Sequence, residues 1–174
     1  MVISHHNETL NGTVLSACHE GAAIEGFCRG PSISDPLAYG VHFYFNTSAS
    51  NTNPKAADVP GVLSYDAVFG DNMTVPSAMS LVPDFTSNVA VPIIYPNPDQ
   101  YNEVYFDKND EMYVLSFRDD TVDPPVSKET KFKQWFVCQT YYSYTYTTLA
   151  WVIGKNAKPQ NPTCQKVQVQ RIWG

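Results

Sequence analysis

Val104-Tyr105-Phe106-Asp107-Lys108-Asn109-Asp110-Glu111-Met112-Tyr113-Val114-Leu115 is the stretch that decides the fold class. Two runs of β-branched and aromatic residues flank a polar tip at Asp107–Asp110, the pattern of a β-hairpin. The same pattern recurs outward in both directions. It predicts strands at Thr13–Cys18, Val41–Asn46, Gly61–Phe69, Ala78–Pro83, Val89–Tyr95, Glu103–Asp107, Glu111–Phe117, Gln134–Thr140, Thr145–Ile153 and Gln165–Trp173. Helical periodicity is nearly absent. Thirteen prolines and nine glycines punctuate the strands, and long irregular loops are expected at Gly30–Tyr39, Thr47–Pro60 and Arg118–Lys131. No linker divides the chain, so one all-β domain over residues 1–174 is expected.

A faint repeat bears on topology. Phe43-Tyr44-Phe45, Val104-Tyr105-Phe106 and Val167-Gln168-Val169 recur at roughly sixty-residue spacing, with earlier strands around Leu15, Leu81 and Phe136. Three such sections favour a β-trefoil. A two-sheet β-sandwich or jelly roll is the alternative.

Composition narrows the function classes. Charged residues make up only 16% of the 174, while 43% are hydrophobic and 13% aromatic. That sparse charge, with many Ser, Thr, Asn and Gln in its place, suits an extracellular β protein. The net charge of −6 argues against nucleic acid and against an anionic membrane surface, since both need a basic face. No run of about twenty apolar residues predicts a membrane-spanning helix. Met1-Val2-Ile3-Ser4 is too short for a signal peptide, so the expected start is that of a mature chain behind an initiator methionine.

Four cysteines, Cys18, Cys28, Cys138 and Cys164, allow three pairings. Chain order favours Cys18–Cys28 and Cys138–Cys164, because each closes a local loop. The spacing does not suit a structural zinc site. Sequons begin at Asn7, Asn11, Asn46 and Asn72, each with a non-proline middle residue. Asn161-Pro162-Thr163 is excluded by its proline. Cysteines and sequons together point to secretion, with glycans expected first at Asn46 and Asn72.

No familiar catalytic motif occurs, no cofactor or metal is implied, and with every cysteine oxidised no thiol nucleophile remains. His5-His6 reads as a frayed terminus, and His42 as a partly exposed sheet residue. His19 lies between Cys18 and Cys28 with Glu20 and Glu25. It is either an acid/base or metal cluster or part of a polar loop. Asp119 and Asp120 sit in a proline-rich loop where a ligand could bind. Asp107, Asp110 and Glu111 crowd the hairpin tip, as a weak calcium site or as solvated acids. Tyr142, Tyr144 and Tyr146 alternate on an expected strand and would face one side. Exposed, they would make a sugar platform, because ring faces pack on the C–H patches of pyranoses. Buried, they would be core.

Two motifs carry a resemblance. One is Leu10-Asn11-Gly12, Leu15, then Ala17 through Cys28. The other is Tyr146 through Gly154, Pro159-Gln160-Asn161-Pro162 and Cys164-Gln165-Lys166-Val167. Ser87 through Pro92 and Asp119-Asp120-Thr121 extend it over most of the chain. The sequence resembles small secreted proteins of filamentous ascomycete fungi that have no assigned activity. The resemblance implies a secreted or wall-associated fungal protein and supplies no catalytic residues.

The expected function is therefore non-catalytic: a secreted protein that binds glycan or cell-wall polysaccharide, with no nucleic-acid or membrane partner. The alternatives are a small glycosidase-like hydrolase using Asp119 or Asp120 with Glu20 or Glu25, and a carrier whose aromatics line a cavity.

Overall fold

The structure is a computed structural model. It describes residues 1–4, 6–32, 42–48, 50–51, 53, 55–69, 73–96 and 99–173. Asn72, His5 and most of the loop expected after Gly30 lie outside the described residues.

Among the described residues the chain forms strands and no helix. They are β1 (Val2–Ile3), β2 (Thr13–Gly21), β3 (Ile24–Ser32), β4 (Tyr44–Asn46), β5 (Gly61–Phe69), β6 (Met73–Pro83) and β7 (Val89–Tyr95). Then come β8 (Glu103–Phe106), β9 (Met112–Asp119), β10 (Val126–Phe132), β11 (Trp135–Tyr141), β12 (Thr145–Val152), β13 (Gln165–Lys166) and β14 (Gln168–Val169). The protein is all-β. One antiparallel sheet curls into a half-barrel in the order β10-β9-β8-β5-β6-β7-β3-β12-β11-β13, with β2 on β3 and β4 on β5. A small second sheet pairs β1 with β14.

This order corrects both the trefoil and the two-sheet sandwich. Strands related by a threefold repeat would have equivalent neighbours. The strands at Leu15, Leu81 and Phe136 do not: among the described residues β2 pairs only β3, β6 lies between β5 and β7, and β11 lies between β12 and β13. The repeat reflects many aromatic strands. The sandwich alternative expects two separate sheets, whereas one continuous ladder runs here from β10 to β13.

The sheet curls by forking. β6 pairs β5 from Phe69↔Met73 to Ser64↔Ala78, then leaves it to follow β7. β8 takes the vacated edge at Gly61↔Val104. Asn102 closes the gap: its N–H donates to Met79 O at 2.9 Å and its Oδ1 accepts from Leu81 N–H at 2.7 Å. The second fork is on β7. One edge takes β12 at Ala90↔Trp151 and β3 at Ile93↔Gly26. Pro92, with no N–H to give, falls between those two partners, where a proline inside a strand is tolerated.

Alternation decides which residues face inward. On β5, Gly61, Leu63 and Ala67 are buried, while Val62, Ser64 and Asp66 point outward. The core is built around Trp135, fully buried against Trp151 at 4.7 Å in an edge-on contact. Its Nε1–H donates to Met112 O at 2.9 Å, joining β11 to β9 across the core. Gly61 has no room for a side chain, because a Cβ there would meet the Phe45 ring at 2.4 Å.

Both disulfides are as expected, Cys18–Cys28 and Cys138–Cys164, each contributing about 3 kcal/mol in the loop-closure account. The segment between Cys18 and Cys28 is a hairpin rather than a polar loop. Its turn is made by Ala22 and Ala23, with Ala23 at φ 56°. The expected loop Arg118–Lys131 likewise contains β10. That strand is mostly exposed and among the described residues pairs only with β9, so Lys128, Glu129 and Lys131 guard that edge.

Trp135→Ala should lose about 3–5 kcal/mol of stability. Trp135→Phe should lose less, the remaining cost reflecting the orphaned Met112 carbonyl. Urea unfolding of the two variants checks the order.

Candidate functional site

The shared edge of β7 brings two hairpin tips together. One is the β2–β3 tip. The other is the β11–β12 turn, which closes at Tyr141↔Thr145 with Tyr142, Ser143 and Tyr144 as its turn residues. Tyr142 and Tyr144 are therefore not on a strand, and the alternation expected for Tyr142, Tyr144 and Tyr146 does not run through the turn. What aligns the rings is a contact between the tips.

Glu20 makes that contact. It is fully buried, and its Oε2 accepts the backbone N–H groups of Ser143 at 3.2 Å and Tyr144 at 3.1 Å. A carboxylate accepting two N–H groups is a strong, charge-assisted clamp. Space for it comes from Gly26, where a Cβ would sit 3.2 Å from both Glu20 Cγ and Cys18 Sγ. The Cys18–Cys28 bridge fixes the strands on that face. Glu20 Oε1 is buried and has no hydrogen-bond partner.

Tyr144, thus held, is half exposed. Its ring lies 5.9 Å from the His19 ring and 6.1 Å from the Tyr146 ring, tilted by 42° and 43°. His19, Tyr144 and Tyr146 form a continuous row of rings. Tyr142 is partly buried, and its N–H donates to Tyr144 O at 3.3 Å. Tyr141, the last residue of β11, is 68% exposed, and neither alternation nor spacing marks it from sequence. Glu25 stands directly across from His19. Burial pushes the Glu25 carboxyl above its ordinary range; the charge of His19 works against that shift and the charge of Glu20 adds to it. The site offers aromatic faces with a carboxylate, an imidazole and phenol hydroxyls around them, a set that can stack on rings and hydrogen-bond hydroxyl groups.

Asp119 and Asp120 lie elsewhere. Asp119 accepts from Lys155 Nζ at 2.5 Å and from Thr121 Oγ1 at 2.6 Å. Those bonds hold its carboxyl down at about 2, so it is a fixed anion tying β9 to the turn after β12. Tyr144, which bonds Glu20, precedes β12, and Lys155, which bonds Asp119, follows it, so the eight residues of β12, roughly 25 Å of strand, lie between the two contacts. A glycosidase needs its two carboxyl groups about 5–9.5 Å apart. Asp119 and Asp120 are not brought to Glu20 or Glu25.

The acids of the β8–β9 tip are not freely solvated. Lys133 Nζ lies 2.6 Å from both Asp107 Oδ2 and Glu111 Oε2, and Arg171 Nε lies 2.6 Å from Asp110 Oδ1. Among the described residues no group of three or more His, Cys, Asp or Glu is placed to hold a metal ion. His42 is exposed and precedes β4.

A family model described as a domain of unknown function, DUF7907, matches residues 2–173. The chain belongs to the DUF7907 family. The match takes in both hairpins of the site and both disulfides of this DUF7907 domain. No curated protein and no solved structure matches the chain.

Glu20→Ala should release the β11–β12 turn, lowering stability by about 1–3 kcal/mol. Amide exchange at Ser143 and Tyr144 should accelerate, which hydrogen-exchange NMR reads directly. Glu25 gives a pH signature. A carboxyl raised above its ordinary 4.5 favours the fold when protonated, so its contribution is present below that value and lost as pH rises through the raised one. Glu25→Gln should therefore melt higher than the parent at about pH 7 and match it near pH 4, checked by thermal melts across that range.

Proposed function

We propose that this chain is a non-catalytic extracellular protein, of the fungal secreted kind its sequence resembles, that binds glycan through the His19–Tyr144–Tyr146 row. One observation carries the proposal: three rings in a continuous row, with His19 and Tyr144 exposed and Tyr146 half-buried, held by a buried carboxylate and a disulfide. A loop this firmly held keeps its binding geometry without ligand, so ordering costs little on association. Stacking requires no activated nucleophile and no paired acids, in keeping with the separation of Asp119 from Glu20.

The tilt of the rings narrows the ligand. A flat crystalline polysaccharide surface needs coplanar faces. Here each ring turns by about 40° from the last, so successive faces suit consecutive units of a short, twisted oligosaccharide or a free chain end. Glu25 and the tyrosine hydroxyls would hydrogen-bond its hydroxyl groups. The two disulfides support an oxidising, extracellular location. Among the described residues no helix is long and apolar enough to cross a membrane.

A glycan array beside a soluble-polysaccharide pull-down should identify a ligand. With it, Tyr144→Ala should weaken binding by about 1–2 kcal/mol, the worth of one aromatic contact and its buried area, and leave the melting temperature nearly unchanged. A melting curve and a binding isotherm on this variant suffice. A large loss of stability, or unchanged affinity, would remove the ring row as the binding surface.

A further inference from the structure

A second surface lies on the outer face of the half-barrel. Val62, Ser64 and Asp66, alternate residues of β5, line an open groove of about 560 Å³, within the ~300–1,000 Å³ typical of sites that hold small ligands. Tyr44 and Tyr101, 51% and 49% exposed, also line it. So does Asn46, the acceptor of the sequon Asn46-Thr47-Ser48. Asn46 stands opposite Val62 in the β4–β5 ladder, is exposed, and donates from Nδ2 to Ser64 Oγ at 2.6 Å.

We propose that this groove is the seat of the protein's own N-glycan, carried on Asn46, with its first sugars packed against Tyr44 and Tyr101. The occupant follows from the attachment point: a chain growing from Asn46 Nδ2 starts inside the groove. Two half-exposed rings offer faces to the C–H patches of the sugars. Ser64 and Asp66 offer hydrogen-bond partners to hydroxyl and acetamido groups. Attachment joins Nδ2 to the anomeric carbon of an oligosaccharide delivered on a lipid diphosphate. The C–O bond to the diphosphate breaks, the diphosphate leaves with the electron pair, and Nδ2 gives up one proton. One N–H remains on Nδ2 and can keep the bond to Ser64. The proposal rests on the secreted location argued above, and not on glycan binding at Tyr144.

The test uses the full chain secreted from a yeast host, with occupancy of each sequon read by glycopeptide mass spectrometry. The native protein is then treated with peptide N-glycosidase, and release from Asn46 is followed as the conversion of Asn to Asp. Tyr44→Ala/Tyr101→Ala serves as the comparison, since both rings are exposed and their loss leaves the core intact. Asn46 should be occupied, and release from the parent should be about tenfold slower than from the double variant, as expected for losing two aromatic contacts. Equal release rates would overturn the proposal, as would an empty Asn46 beside an occupied Asn7 or Asn11. The chain is exported behind a host leader peptide; if no sequon is then occupied, both this proposal and the secreted location fall.

Discussion

Every N–H and C=O along a buried strand needs a partner, and β7 meets this demand by sharing one edge between two strands. Its residues Val89 through Ile94 are all buried. Along that edge β12 serves Val89 and Ala90, and β3 serves Ile93 and Ile94. Two strands from distant parts of the chain are thereby made neighbours. Both run antiparallel to β7 and touch each other at a single bridge, Thr148↔Cys28. The β2–β3 and β11–β12 hairpins must then end side by side, and that arrangement makes the ring row.

The tips are held by charge in a dry place. Desolvating a carboxylate is expensive unless hydrogen bonds replace the lost water, and Glu20 receives two from the β11–β12 turn. Its energetic role is therefore local: it fixes one turn more than it adds to overall stability. The same economy is seen at Arg171, whose guanidinium lies 4.7 Å from the Phe106 ring and 4.6 Å from the Trp173 ring while bonding Asp110. Few charges are present, and several of them serve as joints between strands. The low charged fraction leaves the outer surfaces to tyrosine, serine, threonine and asparagine.

Strand by strand, the predicted pattern and the structure differ where burial is one-sided or lacking. β5 and β7 run over the residues expected, because a long β-branched or apolar run has little else it can do. β3 is hidden by Glu25, Gly26 and Gly30, which look like loop residues. Gly26 is there to admit Glu20 and Cys18, a packing need that local propensity does not record. β10 is hidden because an edge strand facing water can be written in charged residues. The threefold repeat failed for a related reason: similarity of short aromatic strands says nothing about which neighbours they take.

The all-β class, the positions of most strands along the chain and the cysteine pairing were legible in the sequence. Each depends on residue type and near spacing, the terms in which alternation, turns and loop closure act. The half-barrel, the separation of Asp119 from Glu20, the clamp on Ser143 and Tyr144, and the groove beside Asn46 came only with the tertiary structure. Each depends on which strand takes the free edge of another. That choice is set by core packing and backbone hydrogen bonds between residues as distant as Glu20 and Tyr144, and no local pattern encodes it.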